Sequence, residues 1–107
     1  MKVVARKGRL KLILEDGKTL VVFNRRRYEL EKLPPIVVVV PEQAPEDVRE
    51  VALYHRDRYL SSSKTWEKLP SLNILKVLAK VGAIELHRKE ELLELLCKLK
   101  EAIEQLH

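Results

Sequence analysis

Through the first two dozen residues apolar and polar side chains alternate almost one for one. A period of two is that of a β-strand with one face buried. Asp16-Gly17 interrupts the alternation, and an Asp-Gly pair suits a two-residue type I′ hairpin turn, which needs positive φ at both central positions. That turn pairs Glu15 with Lys18, Leu14 with Thr19, Leu12 with Val21 and Leu10 with Phe23. Taking Lys7-Gly8 as the preceding turn pairs Ala5 with Leu10 and Val3 with Leu12. The result is a predicted antiparallel meander. One face carries Val3, Ala5, Leu10, Leu12, Leu14, Val21 and Phe23, and the other Lys2, Val4, Arg6, Arg9, Lys11, Ile13, Leu20 and Val22.

Asn24 to Tyr28 reads as a further turn or the start of another strand, and Leu33-Pro34-Pro35 ends that pattern. Ile36 to Val40 is an unbroken β-branched run closed by Pro41, as in a strand buried on both faces. Beyond it the period lengthens to that of a helix. Pro45-Glu46-Asp47 opens a first helix with Pro45 in its first turn, acids at the positive end of its dipole, and Val48, Val51, Ala52, His55 and Tyr59 on one face. It should fade at Ser61-Ser62-Ser63. Thr65-Trp66-Glu67 predicts only a short turn before Pro70; Ser71 then caps a helix over Leu72–Val81, stopped by Gly82. Ala83 to Leu86 reads as a connector. The last helix runs from about Arg88 to Leu106, with Leu92, Leu96, Leu99, Ile103 and Leu106 at four-three spacing. The fold class is α+β: an N-terminal antiparallel meander of about four strands packed by two or three C-terminal helices. It forms a single domain with a sheet half (1–41) and a helical half (42–107).

Composition adds three constraints. Charged residues are 35% of the 107, mostly Lys, Arg and Glu, with few Gly, the bias that a hot environment favours. The single cysteine, Cys97, excludes an internal disulfide and a multi-cysteine zinc site; its Leu-rich surroundings predict a buried, inert thiol. No apolar run reaches membrane-spanning length and the chain starts in a charged segment, so a cytoplasmic protein without membrane association is expected. Charge is uneven: residues 1–41 carry ten Lys/Arg against Glu15, Asp16, Glu29 and Glu31, a net of +6, whereas residues 42–107 carry eleven against twelve.

The basic excess is the main pointer to function. Arg6, Arg9 and Lys11 on the less apolar face, with Arg25, Arg26 and Arg27 at the end of the meander and Tyr28 beside them, suit phosphate contacts plus one stacked base. The expectation is a small basic protein binding DNA or RNA, or associated with nucleoprotein. The alternative is a homo-oligomeric assembly subunit without nucleic acid, a homodimer joined through Leu92, Leu96, Leu99, Ile103 and Leu106. Ser71–Ile84, in the form Leu75-x-x-Leu78-x-x-x-Gly82-x-Ile84, resembles the first helix of winged-helix domains. That family continues with two short helices and a wing hairpin, where this chain has one long helix. His55-Arg56-Asp57 resembles the protein-kinase catalytic loop, but Ser62 stands where that family has its asparagine. A metal-free nuclease site of His55, Tyr59 and Lys64 has nothing in the sequence to position it. His55, His87 and His107 lack metal-ligand spacing, and no glycine loop is present to cradle a phosphate. No catalytic residue, cofactor, metal or small-molecule substrate is expected.

Overall fold

Three hairpin turns with left-handed residues set the frame. The computed structural model describes residues 2–106. Strands β1 (Lys2–Lys7), β2 (Leu10–Glu15), β3 (Lys18–Phe23) and β4 (Arg26–Glu29) form one antiparallel sheet in the order β1-β2-β3-β4. A 3-10 turn (Leu30–Lys32) leads to β5 (Ile36–Val39), helices α1 (Glu46–Ser61) and α2 (Thr65–Lys80), β6 (Glu85–Arg88) and α3 (Lys89–Gln105). β5 and β6 pair as a separate two-stranded sheet. The fold is α+β, as the alternation followed by helical periods requires.

Asp16 and Gly17 have φ of 50° and 78°, the conformation expected of a type I′ turn, and the β2–β3 register is the one the sequence implies. The first turn differs. It falls on Gly8-Arg9 rather than Lys7-Gly8, so that Ala5 pairs with Leu12 and Val3 with Leu14. Gly8, at φ 61°, occupies the first central position, where a II′ turn wants glycine. The displacement is two residues, and two residues restore the side-chain direction, so every face assignment survives.

The chain folds into two compact units: the N-terminal segment through Val37 together with the segment from His87 onward, and Val38–Leu86. In the first, Leu10, Leu12, Val21, Phe23, Leu30, Leu33, Ile36, Val37 and Leu92 are buried. α3 joins the apolar face of the sheet through Lys7, whose Nζ lies 3.2 Å from Glu91 Oε2. The Lys89 Nζ donates to the carbonyls of Glu31 (3.0 Å) and Leu33 (3.1 Å), and its backbone N–H to Pro35 (2.9 Å). That last bond joins the residue before β5 to the residue after β6.

In the second unit α1 and α2 pack together around Ala52, Leu75 and the buried Ser71, whose Oγ lies 3.1 Å from His55 Nδ1. Pro45 is the N-cap of α1 rather than a helical residue. α2 does not start at Ser71: it runs unbroken from Thr65 through Pro70. The missing proline N–H orphans only the Trp66 carbonyl, near a helix end where both residues are exposed and water can serve it. The helix stops as expected at Gly82 (φ 83°), where Ala83 N–H bonds to Leu78 O and Gly82 N–H to Ala79 O, a Schellman pair. The connector expected at Ala83–Leu86 is replaced in part by β6.

Candidate nucleic-acid interface

Successive strands of an antiparallel meander reverse direction, so its first and third turns lie at the same end. Those turns are Gly8-Arg9 and Asn24-Arg25. The cross-strand row next to the tips is Lys7, Leu10, Phe23, Arg26, and the row behind it is Arg6, Lys11, Val22, Arg27. Arg6, Arg9, Lys11, Arg25, Arg26 and Arg27 therefore converge on one end of the sheet, together with Lys7. No strand or turn residue there is acidic. The opposite end is balanced: Lys2 and Lys18 flank Glu15, beside Asp16. Glu29 on β4 pairs with Lys32 at 3.2 Å. With strands spaced about 4.8 Å, Arg6, Lys11 and Arg27 line one face over about 14 Å. Arg6, Arg9, Arg25, Arg26 and Arg27 are exposed and Lys11 is half-buried.

Tyr28 is not part of that row. It pairs with Val21 on the apolar face and stacks on Phe23, with centroids 4.6 Å apart and planes inclined by 18°. The cation-bearing face has no aromatic side chain among the described residues, so it can neutralise phosphates but not stack bases. Arg25 carries a second feature. Its φ of 64°, with Asn24 at 51°, is left-handed, where a β-carbon is strained and glycine is favoured. The sequence groups Arg6, Arg9 and Lys11 on one face and Arg25, Arg26 and Arg27 at the end of the meander, and the two groups meet because the first and third turns share an end.

The five seam residues of α3 are not equivalent. Leu92 is completely buried, Leu96, Leu99 and Ile103 are half-buried, and Leu106 is 85% exposed. Leu96 and Leu93 also line an open cleft of about 350 Å³ with Thr19, Glu29, Glu31 and Lys100. The cleft's charges balance, and it lies at the Asp16-Gly17 end, away from the cation cluster. Cys97 is exposed, not buried. It lies off the stripe of Leu92, Leu96 and Leu99, an angular fact that the leucine-rich composition hides.

His55 is half-buried between the Tyr54 ring, edge-on at 5.0 Å, and Ser71, so packing accounts for it. Tyr59 is engaged by Lys68 and Trp66 by Lys64, each ammonium 5.2 Å from the ring centre. No group of three or more His, Cys, Asp or Glu that could hold a metal occurs among the described residues. No helix there is long and apolar enough to cross a membrane. Comparison with protein families, characterised proteins and solved structures finds no match.

Proposed function

We propose that this is a small nucleic-acid-binding or nucleoprotein-associated protein that grips the phosphate backbone with the cationic end of its meander. The observation that carries the reading is the convergence of Arg6, Arg9, Lys11, Arg25, Arg26 and Arg27 at an end of the sheet whose strands and turns carry no carboxylate, beside a Lys7 that is already paired with Glu91. A row of cations about 14 Å long meets several phosphates at once, because each strand of a duplex advances only about 3.4 Å per charge. With both aromatic rings of the meander turned to the other face, contacts fall on phosphate and sugar rather than on bases. Affinity then depends on salt and little on sequence.

Fluorescence anisotropy with labelled duplexes of unrelated sequence, titrated across a salt series, tests the proposal. Five neutralised phosphates give a log–log slope of about −4 to −5 on duplex DNA. Replacing Arg6, Lys11 and Arg27 by Gln flattens it by about 2 to 3. Absence of binding to duplex or single strands, DNA or RNA, at about 50 mM salt would reject the proposal.

A further inference from the structure

Five of the exposed large hydrophobic residues among those described lie on α2, on the side away from Ser71 and Leu75. Trp66 is 69% exposed, Val77 61% and Val81 71%, and Leu69 and Ile74 are also exposed. At 100° per residue these positions form two neighbouring ridges of four-residue spacing: Trp66, Pro70, Ile74 and Leu69, Asn73, Val77, Val81. Ridges of that spacing interdigitate in the commonest class of helix pairing. No acidic residue interrupts either ridge, and the one polar side chain, Asn73, stands at the middle.

We infer that this face is a homodimer interface, α2 packing on α2 of a second copy about a two-fold axis near Asn73. The stripe is its own complement under that operation. An antiparallel partner brings Trp66 toward Val81 of the second copy and Leu69 toward its Val77. The central asparagine meets its own equivalent, where two amides can each donate and accept. Area supports the same occupant. Trp66 offers about 150 Å² and the aliphatic side chains together about 350 Å², so complete burial in both copies covers at most roughly 1,000 Å², which just reaches the threshold of a specific interface. This interface is a different surface from the α3 seam, of which Leu92 is buried and Leu106 exposed. It does not depend on nucleic-acid binding.

The chain has one tryptophan, and it lies on this face. Sedimentation velocity from about 1 to 300 µM, with Trp66 emission followed in parallel, tests the inference; dimer formation and a concentration-dependent blue shift are expected in the micromolar range typical of so small an interface. Val77→Glu sets two carboxylates against an apolar ridge and weakens association about a hundredfold or more. Leu106→Glu, on α3, leaves it unchanged. Circular dichroism confirms that both variants fold, and Val77→Lys repeats the test with the opposite charge. A monomer throughout the range would overturn the inference. So would a blue-shifted Trp66 independent of concentration, or a dimer broken by Leu106→Glu and indifferent to Val77→Glu.

Discussion

Arg25 sets backbone strain against the proposed phosphate contact in one residue. An Asn-Gly pair would satisfy the turn between β3 and β4 without strain, yet the chain places a long cation at φ 64°. Left-handed backbone costs a residue with a β-carbon about 1–2 kcal/mol, part of which glycine gives back through its freer unfolded chain. Arg25→Gly relieves that strain but also gives up the interaction of the arginine side chain, so the melting temperature moves by no more than about a few degrees. In the anisotropy titration the same variant binds nucleic acid less tightly, its salt slope flattened by about 1. A variant more stable and equally tight in binding would mean that the arginine is not there for a ligand. Lys89 makes the contrasting case of a cation with a structural task. A lysine at the positive end of a helix dipole is unfavourable, but its ammonium serves the carbonyls of Glu31 and Leu33. Lys89→Met costs about 1–2 kcal/mol in denaturant melts and leaves binding unchanged.

At the scale of elements, what could be read from the sequence and what could not divide along physical lines. Strong, regular periods over six or more residues were legible: the meander, the Asp16-Gly17 turn, α1 and the four-three repeat of α3. The Gly8-Arg9 turn was misplaced because Lys7-Gly8 and Gly8-Arg9 give the same face pattern, and periodicity alone cannot separate them. β6 was missed because its four residues hold a single aliphatic side chain, Leu86. In the candidate site, the individual cations were legible, whereas the side taken by Tyr28 depends on the length of the Asn24-Arg25 turn, which the alternation does not specify. Pro70 did the most concealing. It split α2 into a turn and a shorter helix, so Trp66 and Leu69 were never aligned with Val77 and Val81. Proline in a helix interior costs about 3 kcal/mol, and less where the orphaned carbonyl is solvated. Pro70→Ala restores a donor to Trp66 and stabilises α2 by about 1–2 kcal/mol, measurable by chemical denaturation.

For the whole molecule the deciding quantity is where charge sits, not how much there is. The formal net charge is +5. A diffuse excess of that size attracts any polyanion weakly, whereas the meander gathers its cations at one end and balances the other. Six-residue strands are about 20 Å long, some two Debye lengths at physiological salt, so the two ends act as separate electrostatic bodies. That separation allows a comparison at equal total charge. Arg6→Glu with Arg27→Glu removes the row at the cationic end; Lys2→Glu with Lys18→Glu alters the balanced end. Each pair brings the formal net charge from +5 to +1. At about 0.15 M salt the first pair loses at least about tenfold in affinity for a nucleic-acid duplex, and the second stays within about twofold of the parent. Equal losses would mean that net charge alone draws the ligand. A larger loss from the Lys2 and Lys18 pair would move the contact surface to the opposite end of the sheet.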